Sequence, residues 1–195
     1  MTGKTHMAIG VLAGLALSTD QPMETKLIIV LASTLGSLIP DIDHPKARLN
    51  QKLLLLKNKF YRSLFYLSLA GGFIYLYIIR EDILFGLLAI MTFFTGISSH
   101  RGFTHSLLGF VIATYIVKII SITYKIPYIY SSFAIGYLSH LIGDFLTPKG
   151  IKLFYPLDIN ISSPITIQID SNFENIIVAL LGIYSLYFLF QSISI

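Results

Sequence analysis

IYSSFAIGYLSHLIGDFLT, residues 129–147, is the stretch that decides the fold. It is apolar over most of its length, yet it carries His140 and Asp144 four residues apart. On a helix that spacing puts both side chains on one face, about one turn from each other. In a soluble helix a plain His–Asp hydrogen bond would explain the pair. Inside an apolar span ionisable groups are costly and usually functional, so the pair reads as an imidazole and a carboxylate able to chelate one metal ion.

Working outward, the whole chain has the same character. Its 195 residues suit one domain, 1–195. They are 54% hydrophobic and 12% charged, against about 25% charged in an ordinary soluble protein. Mean hydropathy is +0.74. The class implied is an integral membrane protein. Cysteine is absent, so disulfides and thiolate metal sites are excluded and histidine–carboxylate chemistry remains.

Seven apolar segments are expected, near 6–19, 26–40, 62–79, 83–99, 104–124, 129–147 and 175–191. The fold class is therefore an all-α, multi-span membrane helix bundle. The first two segments are short for a crossing of about 20 residues. Residues 150–172 alternate like a short hairpin. Reading the first apolar run as a cleaved signal peptide would discard His6, so the N-terminus is expected to be retained.

Net charge is +4, and the basic residues gather in one loop, 41–62, with Lys46, Arg48, Lys52, Lys57, Lys59 and Arg62. Such a loop is normally cytoplasmic. Membrane topology accounts for these charges, and no nucleic-acid partner is expected. Counting outward puts the N-terminus, 100–103 and 148–174 inside and the C-terminus outside. His6, Asp41, Asp43, His44, His100, His105, His140 and Asp144 then share the cytoplasmic face of the cell (inner or plasma) membrane.

Three more motifs carry chemistry. In Pro40-Asp-Ile-Asp-His-Pro45 two prolines hold the chain out of helix. Asp41 and Asp43 alternate there, so they can bridge two metals or supply one ligand and one general base. In His100-Arg-Gly-Phe-Thr-His105, Gly102 permits a turn and Thr104 is placed to cap the next helix. Arg101 can clamp a phosphate or carboxylate, or simply anchor the span. Thr5-His6-x-x-x-Gly10 resembles Thr104-His105-x-x-x-Gly109, and Asp41-x-x-x-Pro45 resembles Asp144-x-x-x-Pro148. An internal repeat of 4–45 with 103–148 would explain both. Eight candidate ligands exceed the four of one closed zinc site, so two or three divalent ions are expected. Zinc is the first choice, with manganese or iron also suited to an N/O donor set. Lys149, with Lys152 or Tyr155, is placed to meet a substrate.

Thr5-His6, Gly36-Ser-Leu-Ile-Pro-Asp-Ile-Asp-His-Pro45, His100-Arg-Gly-Phe-Thr-His-Ser106 and the run from Gly136 to Gly150 continuing to Leu153-Phe-Tyr-Pro156 carry a resemblance. Together they resemble the LexA-regulated, membrane-bound metal-dependent hydrolase (YdjM-like) family over about residues 1–156. That family is likened to zinc-dependent phospholipase C and P1-type nucleases, which are helical and hold three clustered metals. The resemblance implies metal-dependent hydrolysis. Those proteins use an N-terminal Trp amine as a ligand, and this chain has no Trp; either His6 fills that place or one metal is missing.

The function expected is hydrolysis of a lipid phosphodiester or related ester by metal-activated water. Asp41 or Asp43 would act as base, and Arg101 and Lys149 would hold the anion. Membrane lipid is then both environment and substrate. A metal transporter or sensor without hydrolytic activity is the alternative. A transporter needs a polar path, and the outer halves of the segments offer little beyond Lys118 and a few Ser and Thr. The sequence leaves the oligomeric state open.

Overall fold

The structure, a computed structural model, describes residues 1–44 and 58–193. Among these residues the chain is all-α, with seven α-helices. They are α1 (Gly3–Leu17), α2 (Met23–Leu38), α3 (Lys59–Arg80), α4 (Ile83–Ile97), α5 (Leu107–Thr123), α6 (Ile129–Phe145) and α7 (Asn172–Ile193). Two short 3-10 turns, Ile39–Asp43 and Phe103–His105, interrupt the sequence of helices. Pro45, Lys46, Arg48, Lys52 and Lys57 lie outside the described residues.

The expected seven crossings are corrected to three. Among the described residues only Met23–Asp43, Lys59–Arg80 and Asn172–Gln191 are long and apolar enough to span a membrane. Helix length is the reason. At 1.5 Å per residue, the 15-residue α1 and α4 and the 17-residue α5 and α6 rise only roughly 22–26 Å, short of a hydrocarbon core of about 30 Å. Apolar runs in the sequence do not show where the backbone leaves the helix. Segment 104–124 loses its first turn this way. Thr104 gives its hydroxyl to Asp43 instead of capping, and Ser106 caps α5 by accepting from the Gly109 N–H at 3.1 Å. The alternation of sides counted through seven crossings falls with that number. Residues 150–172 form no strand; the loop is closed by one bridge between Ile151 and Ile161.

The chain divides into two compact units. The first comprises Met1–Pro40, Ile120–Ile151 and Asn160–Ile195. In it α2 packs on α1 and α6, and α1 also packs on α6 and α7. Ile29, Ala32, Ser33, Gly36 and Ser37 form the buried face of α2, at the i, i+3, i+4, i+7 spacing of one helix face. Backbones touch where α2 meets α6. A Cβ on Gly136 would overlap the Ser33 carbonyl, and one on Gly36 would overlap the Phe133 carbonyl. Small residues at such crossings let membrane helices pack where lipid supplies no hydrophobic drive.

The second unit comprises Asp41–Ile119 and Lys152–Ile159. Its frame is the α3–α4 hairpin. Asn58 caps α3 by accepting from the Tyr61 N–H at 2.9 Å, and Asp82 caps α4 by accepting from Leu84 N–H at 2.9 Å. Between these caps Glu81 turns the chain in the left-handed region at φ 51°. The 41–43 turn and the 98–106 segment pack against the opposite end of this hairpin, around Arg62.

Candidate metal centre

In the second unit the site grows from the 3-10 turn that ends the Met23–Asp43 span. That turn delivers Asp43 into full burial. The side chain is surrounded by donors. Asp43 Oδ1 lies 2.6 Å from His100 Nδ1. Oδ2 accepts from the Arg101 N–H at 3.1 Å and from the Thr104 hydroxyl at 2.8 Å. His105, also fully buried, has Nδ1 3.6 Å from Asp43 Oδ2 and Nε2 3.7 Å from Asp41 Oδ1. The ring of His44 stands edge-on to His100, centroids 4.4 Å apart. Asp43, His100 and His105 each offer a ligand atom, all within 4.8 Å of one another.

Burial makes this set informative. An isolated carboxylate out of water is expensive unless it is paired and hydrogen-bonded. Here imidazole nitrogens supply much of that pairing, and imidazole with carboxylate is the donor set that suits zinc, manganese or iron. His100 and Asp41 keep 32% and 26% of their side-chain surface exposed, so the cluster opens on one side. Arg101 sits at φ +64°, a region a non-glycine residue rarely adopts. It is held there by its N–H on Asp43 and by its carbonyl, which accepts from the Lys152 N–H at 3.2 Å.

The sequence marks Arg62 only as a loop charge. It is buried in the first turn of α3. Its guanidinium donates to the Asp43 carbonyl, to the Ser98 carbonyl at 2.8 Å and to the Gly96 carbonyl at 3.4 Å. Ser63 donates to the Gly96 carbonyl at 2.7 Å, and Tyr66 to the Ile42 carbonyl at 3.2 Å. The start of α3 thus ties the Asp43 turn to the end of α4, whose last carbonyls carry the negative end of the helix dipole. The signal that could have found Arg62 is its place one turn before Tyr66 in an apolar run. Arg62→Met leaves those carbonyls unmet, at about 1–3 kcal/mol for each buried group. Its thermal unfolding midpoint in mild detergent is expected to fall by several degrees, with Arg62→Lys between it and wild type.

The first unit holds its own cluster. His6 and His140 stack face to face, centroids 3.7 Å apart, and both are fully buried. His6 Nε2 lies 3.2 Å from Asp144 Oδ1, and His140 Nε2 lies 3.9 Å from Asp144 Oδ2. His140 Nδ1 is 2.7 Å from the Ser37 carbonyl. That contact orients the ring, leaving Nε2 toward Asp144, the outer-shell arrangement common to metal-binding histidines. The amino group of Met1 also contacts Asp144. His6 Nδ1 is buried with no hydrogen-bond partner. Lys149 is exposed in the turn after α6. Sequence reasoning missed Glu174, buried at the start of α7. It accepts from Thr2 N–H at 2.6 Å, Thr5 hydroxyl at 2.5 Å and Asp170 N–H at 2.6 Å, fastening the start of α1, and with it His6. Its cue was its position as an acid at the edge of the last apolar segment.

Buried His/Asp clusters in a membrane protein are thus the structural finding. The two Thr-His steps behave alike within their own units. Thr5 donates to Glu174 beside His6 and Asp144, and Thr104 donates to Asp43 beside His105 and Asp41.

Comparison with known proteins agrees with these motifs. The sequence model of the family described as YdjM inner membrane protein matches residues 1–194. The inner membrane protein YdjM of Escherichia coli (strain K12) is 30% identical over 162 residues, covering 82% of this chain and 65% of that protein. The chain therefore spans just under two thirds of the length of that relative. Protein YvsG of Bacillus subtilis (strain 168) is 29% identical over 193 residues, 98% of this chain and 96% of that protein. No solved structure matches.

Proposed function

We propose that this chain, which belongs to the YdjM family of inner membrane proteins, is a metal-dependent hydrolase of a lipid phosphodiester or related ester. The observation that carries the reading is the open cluster of Asp43, His100 and His105, with Asp41 at its edge. The donors fit a divalent ion: two imidazoles and a carboxylate, without sulfur. Zinc is the first choice. His6, His140 and Asp144, close together in the first unit, would hold a second ion.

A divalent ion supplies Lewis acidity, polarising a phosphoryl oxygen and acidifying water. The chain's residues divide the remaining work. Asp43 is enclosed by donors on both oxygens, so it serves as ligand and anchor. Asp41, more exposed and facing His105 Nε2, is the general base that takes the proton of the attacking water. The water oxygen adds to phosphorus, the ester P–O bond breaks, and the departing alcohol receives the proton that Asp41 took from the water. Arg101, next to His100 in the chain, offers a cation for the anionic group.

Orientation follows from one loop alone. The chain between the Met23–Asp43 and Lys59–Arg80 spans contains Lys46, Arg48, Lys52 and Lys57, a bias that marks a cytoplasmic connection. Asp43 and Arg62 adjoin it, so the second unit's cluster faces the cytoplasm, where basic residues favour anionic lipid.

The test is metal analysis of protein purified in mild detergent, alongside turnover of phosphatidylglycerol in mixed micelles. One or two tightly held ions per chain are expected. Prolonged chelation should abolish turnover and zinc should restore it. Protein that holds no ion after mild purification would overturn the reading; ions retained without any turnover would favour a metal sensor.

A further inference from the structure

A groove of about 370 Å³ lies along the α3–α4 hairpin of the second unit. Its walls include Ile74, Tyr77, Gly86, Ala89, Ile90 and Phe94. No charged side chain lines it. Gly86 and Ala89 keep it open: a Cβ on Gly86 would reach only ordinary contact, 3.4 Å, with the Tyr77 ring. α3 is long and apolar enough to span the membrane, and Ile74, Ile90 and Phe93 are half-exposed, so the groove faces hydrocarbon.

Water is a poor occupant, because it needs two to four polar partners. Lipid tails are as apolar as the walls, so selectivity must come from close contact and length. From Ile83 to Phe94, α4 rises roughly 16 Å, close to half of a hydrocarbon core of about 30 Å. The groove therefore matches the reach of one acyl chain in one leaflet. Phe94, in the wall of the groove, contacts residues next in sequence to the candidate centre. The Phe94 ring stacks on Phe103 with centroids 5.0 Å apart, and both rings contact Tyr155. Phe103 immediately precedes Thr104 and His105, which face Asp43.

We propose that this groove seats one acyl chain of a diacyl phospholipid whose headgroup lies at Asp43, His100 and His105. The headgroup assignment rests on the hydrolase reading; the groove's occupancy does not need turnover.

The experiment is photolabelling of the full chain in phosphatidylethanolamine vesicles. They are doped with phosphatidylglycerol bearing a diazirine midway along one acyl chain. Adducts are expected on α4 residues 83–94 and on 74–77, saturating as the probe fraction rises. Gly86→Leu should lower them about fivefold through lost dispersion contacts. Gly72→Leu, at a position with nothing within 4 Å of a Cβ, should leave them unchanged. Ile90→Trp narrows the same groove and replaces Gly86→Leu if that variant does not fold. Labelling that rises linearly with probe and spreads over exposed α7 overturns the proposal, as does a crosslink from the groove to a second copy. Saturable labelling without hydrolysis keeps the groove and sinks the hydrolase. Hydrolysis untouched by Gly86→Leu, with linear labelling, does the reverse.

Discussion

Asp43→Ala is expected to release the ion of the second unit and to abolish turnover, while Asp41→Asn retains the ion and turns over roughly 10²–10⁴-fold more slowly. The contrast follows from burial. Asp43 is fully buried and engages His100, the Arg101 N–H and the Thr104 hydroxyl. Removing it takes an acceptor from the Arg101 N–H and the Thr104 hydroxyl, and a polar group left unmet in a buried site costs about 1–3 kcal/mol. Asp43→Ala should therefore also unfold at lower temperature. Asp41 keeps 26% of its side-chain surface exposed, so losing its charge perturbs packing little. Metal content by mass spectrometry, with turnover of phosphatidylglycerol in parallel, separates the two. Equal metal loss in both variants would return Asp41 to the ligand set and leave the general base unassigned.

The second large effect lies in the first unit and needs no metal. Gly136→Val drives a branched side chain into the Ser33 carbonyl. Main chain cannot yield as a flexible side chain can, so the cost exceeds the about 1–3 kcal/mol usual for overpacking. The α2–α6 crossing must separate, carrying His140 away from the Ser37 carbonyl it now contacts. Thermal unfolding in mild detergent should show a lost or strongly lowered transition. Gly71→Ala is the control. A Cβ there meets nothing within 4 Å, and alanine favours helix over glycine by about 1 kcal/mol, so the transition should hold or rise. Similar behaviour of the two variants would mean that the close crossing is not what assembles the unit.

These expectations show how far the sequence reaches. The all-α class and membrane character follow from apolar runs with few charges, and both are present. Asp41, Asp43, His100 and His105 were each marked by residue type and motif, and the second unit gathers them. The number of crossings was not legible. Hydropathy sums side chains, whereas a crossing depends on unbroken helix, and the 103–105 turn breaks the fifth segment without changing its composition. Arg62 and Glu174 escaped for a related reason. Each sits at the edge of an apolar run, where a charge passes for an interfacial anchor. Only tertiary contact shows that one binds carbonyls and the other binds Thr2, Thr5 and Asp170.

The hold of Arg62, Ser63 and Tyr66 on neighbouring carbonyls gives α3 a mechanical character. At 22 residues the helix is roughly 33 Å long, slightly longer than the hydrocarbon it crosses, so it meets a thinner bilayer by tilting. Its near end grips the backbone of residues 42, 43, 96 and 98. A tilt imposed by the bilayer is delivered to the turn that carries Asp43, and α3 works as a lever whose short arm is the carboxylate's own peptide.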